Sequence, residues 1–269
     1  MNYKGLKDWE SGLANMIMVR YPKGKHSPTG FVERAITGDP GIGKSTYCYK
    51  VLAKVYYTLN GYSNKDDEED AYKLALKHMI YHPKDFANLI YNNKRNRTIT
   101  PAICLDDASV HFGKQLYRLD PDTYMELEGL VPTLRTAITG FLITTPYASL
   151  LAKFLREFCR HKVRIIMQSS FRDMEEGGGY KRIARQYEKY WLPDDQKFRI
   201  HIPFQDEYSC LIPDEYYDWY YDKKMKAEED YAQHVSDRQD ILRARREKKK
   251  GKILEIEDNE SGSINNDLQ

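Results

Sequence analysis

The stretch GDPGIGKST, residues 38–46, decides the fold that this sequence encodes. It matches the pattern GxxxxGKS/T at every position, from Gly38 through Lys44 to Ser45. In this pattern the glycines let successive backbone N–H groups point at phosphate oxygens, the lysine brings a positive charge to the outer phosphates, and the serine hydroxyl can ligate Mg²⁺. The helix that follows adds unpaired N–H groups and a dipole that favour an anion.

The residues on both sides of this stretch favour a phosphate-binding loop. Residues 31–37 end in a short β-compatible run, and residues 45–59 carry apolar side chains at near-helical spacing. This context predicts a strand, a phosphate loop and a helix in succession; the alternative is a glycine-rich turn that happens to precede Lys-Ser. The predicted nucleotide-binding residues are Gly38, Asp39, Pro40, Gly41, Ile42, Gly43, Lys44, Ser45 and Thr46.

The composition is that of a globular protein. The chain has 269 residues, of which 41% are hydrophobic and 30% charged, which is enough for one α/β domain with a large core or for that domain and a small appendage. It contains no run of about 18 apolar residues, so we expect no membrane-spanning helix. Residues 1–30 lack the basic start and apolar core of a secretion signal, and we expect a cytoplasmic protein.

The cysteines and the net charge restrict the function further. Cys48, Cys104, Cys159 and Cys210 form no CxxC pair and have no histidine at ligand spacing, so each is predicted to be a small buried hydrophobe rather than a zinc ligand or half of a disulfide. The net charge is only +2, so any affinity for nucleic acid must come from a local patch.

A second motif follows a continuously apolar run. Residues 100–109 read TPAICLDDAS, in which the apolar run is typical of a strand in a parallel sheet covered on both faces. Acidic residues at the carboxyl end of such a strand lie in the ligand crevice. We expect Asp106 to hold Mg²⁺ through water and Asp107 to orient or deprotonate the attacking water. The alternative is a strand that ends in an Asp-Asp turn.

Further strands are predicted at residues 138–147 and 162–170, separated by a helix-like segment with a basic outer face over residues 147–162. Strands that alternate with helices predict βαβ units and a mostly parallel sheet. Thr144 and Thr145 end the first of these strands, where a hydroxyl could contact the terminal phosphate or the attacking water. Threonine is also an ordinary residue at a strand end.

The chain changes character beyond residue 171. A glycine run at residues 177–179 indicates a hinge, and a basic helix is predicted to follow it, with Lys181, Arg182, Arg185 and Lys189. Together with a basic block at residues 238–252, this region of residues 181–189 is predicted to contact DNA, with Tyr187, Tyr190 and Trp191 stacking on exposed bases. The alternative is a helix that packs Tyr187 and Trp191 inward and leaves its charges in water.

The remaining residues predict two short strands within 198–212, joined by a turn, and then a helix with Asp214 as its cap that continues to about Arg246. The end of the chain has the composition of a disordered tail. The predicted division is an N-terminal extension (1–29), a P-loop core (30–170), a basic, Tyr-rich C-terminal region (171–246) and a disordered tail (247–269).

In order along the chain, the motifs GDPGIGKST, MIYHPKDFANLI, ICLDDAS and FLITTP resemble the ATPase core of the AAA+ class, and most of all its DnaA and DnaC/IstB-type branch. The resemblance covers roughly residues 30–170. The high Lys, Tyr and Ile usage also resembles small ATPases carried by archaeal viruses and plasmids. The resemblance implies a cytoplasmic ATPase that uses ATP and Mg²⁺, assembles as an oligomer with the nucleotide between subunits, and acts on DNA or on a replication protein.

The same resemblance implies roles for individual residues. Lys44 would serve the phosphates, Ser45 and Asp106 the Mg²⁺, and Asp107 the attacking water. Thr145 or Thr144 would be the polar sensor at the end of its strand. An arginine that acts on a neighbouring subunit is implied shortly before the last core strand, which points to Arg156 or Arg160.

Two departures from the family pattern affect these expectations. The acidic pair is Asp-Asp where most members have Asp-Glu, so hydrolysis is expected to be slow because the shorter side chain reaches less far. The C-terminal region lacks a clear pattern of lid helices, which leaves Arg182 or Arg185 as the best candidates for a second sensor arginine.

Two other functions fit the same motifs. One is a DNA-translocating or packaging motor of the additional-strand type, in which Gln168 would sense the phosphate. The other is a switch that binds ATP, hardly hydrolyses it, and acts as a regulatory module.

Overall fold

The computed structural model describes residues 5–22, 30–64, 66–168, 180–192 and 196–237. The helices are α1 (Gly12–Arg20), α2 (Lys44–Leu59), α3 (Asp66–Lys77), α4 (Pro83–Asn96), α5 (Ala108–His111), α6 (Leu116–Leu119), α7 (Pro121–Leu130), α8 (Lys153–Phe158) and α9 (214–237), with 3₁₀ turns at Val131–Thr136 and Ala148–Leu150. The strands are β1 (Val32–Thr37), β2 (Met79–Ile80), β3 (Thr100–Leu105), β4 (Ile138–Thr145), β5 (Lys162–Met167), β6 (Lys181–Leu192), β7 (Lys197–His201) and β8 (Gln205–Ser209).

These strands form one sheet in the order β2-β3-β4-β1-β5-β6-β7, with β8 also paired to β6. Strands β1 to β5 run parallel, whereas β6 is antiparallel to β5, β7 and β8. The predicted α/β fold, a mostly parallel sheet flanked by helices, is confirmed. Strand β4 lies between β1, which leads into the glycine-rich loop, and β3, which leads into the acidic pair. The carboxyl ends of the parallel strands therefore bring both motifs to the same edge of the sheet.

The central strands are covered on both faces. All eight residues of β4 are buried, as a continuously apolar strand predicts. On one face Phe86 of α4 stacks on Phe141 of β4, with ring centroids 5.8 Å apart, and Tyr124 of α7 packs against Phe154 of α8. Helix α2 covers the other face. The spacing of its apolar residues predicts this helix, and it is buried along most of its length.

Helix α1 lies within the predicted N-terminal extension and completes the cover over β4. A Cβ on Gly140 would lie 2.9 Å from Cδ1 of Ile17, so the glycine allows the helix to approach the strand closely. The carboxylate of Asp206 on β8 caps the start of α1, because it accepts from Gly12 N at 2.7 Å and from the Ser11 hydroxyl at 2.6 Å. It also accepts from the hydroxyl of Tyr47 on α2 at 2.6 Å, and thereby ties α1, α2 and β8 together.

Two helix predictions are wrong. The predicted basic helix with Lys181, Arg182 and Arg185 is strand β6, because β5 and β8 pair with its two edges and take up its backbone hydrogen bonds. Side chains alternate along it, so that Arg182 is buried while Lys181 is exposed. The continuous helix predicted over 147–162 is divided into a 3₁₀ turn and the six-residue α8, separated by extended backbone at Leu151 and Ala152.

The two short strands predicted within 198–212 are confirmed as β7 and β8, although both pair with β6 rather than with each other. The helix predicted after them begins at residue 214, and the Pro213 carbonyl accepts from Tyr216 N and Tyr217 N. Asp214 is therefore the first helical residue and not the cap. The glycine run at 177–179, the basic block at 238–252 and the acidic tail lie outside the described residues.

The chain divides into two compact units, Met1–Tyr221 and Asp222–Gln269. Within the second unit residues 222–237 are described; they are helical and include an ion pair between Lys224 and Glu228 at 3.8 Å. Among the described residues, no helix is both long and apolar enough to cross a membrane. The predicted boundaries at residues 29, 170 and 246 remain predictions.

Candidate nucleotide-binding site

The glycine-rich loop joins β1 to α2 and turns through three glycines with positive φ angles. These are Gly38 at 149°, Gly41 at 74° and Gly43 at 98°. Residues with a Cβ rarely adopt such angles, so the pattern of the sequence and the backbone of the loop agree. The three residues Asp39, Pro40 and Gly41 at the tip of the loop are exposed to solvent.

Lys44 folds back over this loop. Its ammonium group donates to the carbonyl oxygens of Gly38, at 2.9 Å, and Asp39, at 2.8 Å, and the residue is only 6% exposed. A full positive charge is therefore held inside the loop by neutral dipoles. A phosphate group placed there would meet both this charge and the N–H groups at the start of α2.

The C-terminal strands brace the loop from behind. The hydroxyl of Tyr208 on β8 donates to the Gly43 carbonyl at 3.0 Å, and Nε of Arg182 on β6 donates to the Ile42 carbonyl at 3.0 Å. The sulfur of Cys210 lies 2.4 Å from the position that a Cβ on Gly43 would take. Arg182 is only 7% exposed, so the structure places this predicted DNA contact and sensor candidate against the loop instead of on the surface.

The acidic pair follows β3, which is separated from β1 by β4. Strand β3 pairs with β4 through Leu105 and Ile143, which puts Asp106 beside Thr144. The buried carboxylate of Asp106 accepts from the Thr144 hydroxyl at 2.6 Å, and that hydroxyl accepts from Asp107 N at 2.8 Å. Asp107 is the N-cap residue of α5, with a left-handed backbone at φ 46°, and it is half-buried at the carboxyl edge of the sheet.

The two predicted sensor threonines differ in environment because side chains alternate along a strand. The Thr144 hydroxyl bonds with the acidic pair, whereas the Thr145 hydroxyl donates to the carbonyl oxygen of Tyr147 at 2.9 Å. Both residues are fully buried. The structure therefore brings Thr144 to the acidic pair and turns Thr145 away from it.

Tyr220 on α9 reaches the centre of the site, and sequence reasoning missed it. Its hydroxyl donates to the carboxylate of Asp106 at 2.9 Å. Burial, followed by the nearby Asp106 carboxylate, raises the pKa of Tyr220, so the phenol keeps the proton that it donates. The two residues are 114 positions apart, and the only signal in the sequence is the density of tyrosine between 213 and 224.

The site offers oxygen ligands that suit Mg²⁺. Ser45 lies in the first turn of α2 and Asp106 directly follows β3, so the two motifs bring a hydroxyl and a carboxylate to the same edge of the sheet. A hydroxyl and a carboxylate are oxygen donors of the kind that Mg²⁺ takes in phosphate-binding sites. Ser45 and Asp106 therefore fit the predicted role of holding Mg²⁺.

Two histidines lie beside the acidic pair. The His111 ring on α5 contacts the ring of His82, with centroids 4.9 Å apart. Burial, followed by the charge of His82, lowers the pKa of His111 to about 4, whereas Asp107 opposes the shift. His111 is therefore neutral at physiological pH.

The other predicted site residues lie farther from this centre or on the surface. Arg156 on α8 and Arg160 just after it are exposed, and so is Gln168 at the end of β5. Lys181 is exposed, and the guanidinium of Arg185 donates to the Gln205 side chain at 2.8 Å. The predicted contacts at Lys189, Tyr190 and Trp191 have side chains outside the described part of the chain, as does the whole of 238–252.

The cysteines follow the prediction in part. Cys48, Cys104 and Cys159 are buried, and Cys210 is half-buried beside the loop. Burial raises the pKa of Cys159 and of Cys210, which keeps both thiols protonated.

No known protein-family model matches this chain. The chain is 25% identical over 210 residues to an uncharacterised protein of Sulfolobus spindle-shape virus 1, which covers 76% of this chain and 78% of that protein. It is 29% identical over 117 residues to an uncharacterised protein of Acidianus two-tailed virus, which covers 43% of this chain and 36% of that protein.

Two solved structures are similar to part of this chain. The genome packaging NTPase of Sulfolobus turreted icosahedral virus 2, determined with ATP-γS, has a TM-score of 0.33 and 14% identity over 64% of this chain and 96% of that one. A KaiC-like protein of Pyrococcus horikoshii has a TM-score of 0.30 and 14% identity over 64% of this chain and 91% of that one.

Proposed function

We propose that this chain is a P-loop ATPase that hydrolyses ATP with Mg²⁺ and acts on DNA. The observation that carries the proposal is the meeting of two motifs at one edge of the sheet: the Lys44 ammonium lies inside the glycine-rich loop, and the buried Asp106 carboxylate at the end of β3 accepts from Thr144 and Tyr220. A glycine-rich turn without a ligand gives no reason for a buried carboxylate at the same edge of the sheet.

Each group has a chemical role in this proposal. The loop N–H groups and Lys44 bind the β- and γ-phosphates. Ser45 and Asp106 would hold Mg²⁺, whose charge would offset the negative charge of the phosphate oxygens. Asp107 orients a water molecule for attack on the γ-phosphorus and accepts its proton, and ADP leaves. Thr144 positions the pair, since its hydroxyl bonds with both residues.

The strands after β5 favour a DNA-translocating or packaging motor over a replication initiator or helicase loader. The loader class that the motifs resemble implies a helical lid after the last core strand. In the described part of this chain, the segments directly after β5 are three antiparallel strands that extend the sheet and brace the loop through Arg182 and Tyr208. Movement of these strands would shift the loop through the hydrogen bonds from Arg182 and Tyr208.

A basic face on this extension is the proposed DNA contact. Arg164 on β5 lies directly opposite Arg185 on β6, and Lys162 lies opposite Tyr187, with all four on the same face. Like charges directly across a sheet are destabilising, and a bound polyanion relieves the repulsion. Lys181 adds a further charge on this face, so a phosphate backbone is the partner that its charge fits.

The nucleotide site is tested with Lys44→Ala, using Lys73→Ala on the exposed face of α3 as a matched loss of charge. Lys44→Ala is expected to abolish most binding of a fluorescent ATP analogue, because the other phosphate contacts of the loop are backbone dipoles. Lys73→Ala is expected to bind as the natural chain does. Equal ATP affinity in folded Lys44→Ala protein would overturn the nucleotide site.

Turnover separates the modes of action. A motor is expected to hydrolyse ATP orders of magnitude faster on long duplex DNA than alone, whereas a loader or switch stays slow under both conditions. Slow, DNA-independent hydrolysis in protein shown to bind duplex would refute the motor.

The basic face is tested by the salt dependence of DNA binding. The double variant Arg164→Ala/Arg185→Ala is expected to bind every DNA sequence more weakly and to flatten the slope of log K against log salt by about 1–2 units. Lys84→Ala/Arg95→Ala removes two exposed charges from α4 and is the control. An unchanged slope in the first variant would remove this face from the proposed interface.

A further inference from the structure

The helical cover of the sheet ends between β1 and β5. Ala35 of β1 is buried in the core that α4, α7 and α8 form with the sheet, whereas Lys162, directly opposite it on β5, is exposed. Directly paired residues lie on the same face of a sheet, and so do alternate residues of one strand. In the described part of the chain, the basic face on β5 and β6 is therefore the uncovered continuation of the face that packs against these helices.

The basic face carries apolar side chains among its charges. Tyr187 lies opposite Lys162 and is 36% exposed. Beyond the other edge of β6, Ile200 of β7 pairs with Lys189 and therefore lies on the same face, where it is 68% exposed, and Ile202 two residues later is 43% exposed. Such side chains gain nothing from contact with a phosphate. A partner that offers only charge therefore does not account for this face.

The ring of Tyr187 is surrounded by positive charge on this face. Arg185 precedes it by two residues, a distance of about 7 Å along β6, and the residue opposite it on β5 is a lysine. The guanidinium of Arg185 donates to the Gln205 side chain, an uncharged amide, at 2.8 Å, so this bond does not offset its charge. Glu207 also lies on this face, but it pairs with Ile183, which is about 13 Å from Tyr187 along β6.

An unpaired nucleotide matches this arrangement of ring and charges. Each base has a π face that stacks on an aromatic side chain, and its backbone carries a phosphate for the neighbouring cations. In a duplex the bases stack on one another inside the helix, so their faces are not available to a flat sheet. From Lys181 to Tyr187 the basic face extends about 20 Å along β6, which is long enough for several nucleotides.

We propose that the basic face binds DNA through unpaired bases: a base stacks on the ring of Tyr187 and packs against Ile200, while the surrounding cationic side chains contact its phosphates. The proposal rests on the proposed action on DNA, and it adds which form of DNA this face accepts. A single strand and the unpaired end of a duplex both present such bases, whereas a fully paired duplex offers only its phosphates. A motor that acts on a duplex would therefore engage it at an unpaired end.

The test compares three fluorescein-labelled DNA probes of about 15 nucleotides or base pairs: a single strand, a blunt duplex, and the same duplex with an unpaired tail. Tyr187→Ala is expected to weaken binding of the single strand about 5- to 150-fold, as the loss of one base–aromatic stack predicts. It is expected to remove the advantage of the tailed duplex over the blunt one, and to leave binding of the blunt duplex unchanged.

Three further variants make the test specific. Tyr187→Phe keeps the ring and is expected to bind the single strand as the natural chain does. Ile200→Thr keeps a β-branched side chain and leaves β6 untouched, and it is expected to weaken single-strand binding selectively. Tyr91→Ala removes an exposed ring from α4, outside the basic face, and is the matched control that is expected to change nothing.

The outcomes separate this contact with bases from the function beneath it. Failure of the natural chain to bind any of the three probes would refute the proposed action on DNA. Equal weakening of the single strand and the blunt duplex in Tyr187→Ala, or no weakening of either, would refute the contact with bases alone. If Tyr187→Ala does not fold, Ile200→Thr decides: unchanged single-strand binding in that variant would refute the contact.

Discussion

Gly43→Ala tests how closely the C-terminal strands approach the glycine-rich loop. Gly43 has φ 98° and ψ 24°, and an added Cβ would lie 2.4 Å from the sulfur of Cys210. Left-handed backbone costs a residue with a Cβ about 1–2 kcal/mol. The overlap with sulfur adds about 1–3 kcal/mol, as overpacking does in other interiors. The free energy of unfolding is therefore expected to fall by about 2–5 kcal/mol.

The steric part of this loss is expected to be recoverable. If Cys210 becomes alanine, the nearest atoms left are the Tyr208 hydroxyl oxygen, at 3.5 Å from the added methyl, and the Cβ of residue 210, at 3.9 Å, and both are ordinary contacts. The double variant Gly43→Ala/Cys210→Ala is therefore expected to recover about 1–3 kcal/mol relative to the sum of the single changes. The backbone part stays, since Cys210 does not affect the φ angle of Gly43.

The assay is urea unfolding followed by circular dichroism, with Gly61→Ala as the control. Gly61 also has a positive φ, 69°, but has no heavy atom within 4 Å of an added Cβ. In Gly61→Ala the free energy of unfolding is expected to fall only by the cost of the left-handed backbone, about 1–2 kcal/mol. An equal loss of unfolding free energy in Gly43→Ala and Gly61→Ala would refute the predicted overlap with Cys210. The absence of coupling between residues 43 and 210 in the double-mutant cycle would also refute it.

Three further predictions concern the acidic pair and its surroundings. Asp107→Asn is expected to bind Mg·ATP normally and to lose turnover in a single-turnover assay, because an amide does not accept the proton of the attacking water. Arg160→Ala mixed with Asp107→Asn is expected to regain ATPase activity if the arginine acts on a neighbouring subunit, where such a residue contributes about 10³–10⁵ in rate. The pKa of His111, which lies beside His82 and Asp107, is about 4 in the folded chain, so between pH 6.5 and 4 only the unfolded chain binds the proton. The free energy of unfolding is therefore expected to fall by about 1–2 kcal/mol as the pH falls through this range. His111→Gln is expected to remove this part of the pH dependence.

Each of these predictions has a contrary outcome. Turnover at the natural rate in Asp107→Asn would show that another group handles the water. No recovered activity in mixtures shown to co-assemble would give Arg160 a surface role, and the same experiment with Arg156→Ala tests the other candidate. Equal acid-side slopes for the free energy of unfolding in His111→Gln and the natural chain would mean that the imidazole is protonated in the folded state.

The sequence by itself determined the parts of this protein that depend on local geometry. Glycines at 38, 41 and 43 are required by backbone angles that other residues rarely adopt, and the loop therefore forms where the pattern occurs. The apolar runs of β3 and β4 predict buried parallel strands, and Pro83 begins α4 as its fixed φ predicts. In each case the residue restricts its own backbone or the environment of its own strand.

Tertiary structure decided the features for which a distant partner supplies the energy. Residues 181–192 carry charges at spacings that fit a helix, yet they form a strand because β5 and β8 pair with the backbone of this segment. Side-chain alternation along the strand then points Arg182 toward the loop and Arg185 away from it. The choice of Thr144 over Thr145 depends on the register between β3 and β4, which puts the Thr144 side chain on the same face of the sheet as that of Asp106. Tyr220 reaches Asp106 only because Tyr49 and Tyr72 hold the start of α9 against α2 and α3. Contacts between residues more than a hundred positions apart leave no periodic trace in the chain, since their energy exists only once the helices and strands have packed together.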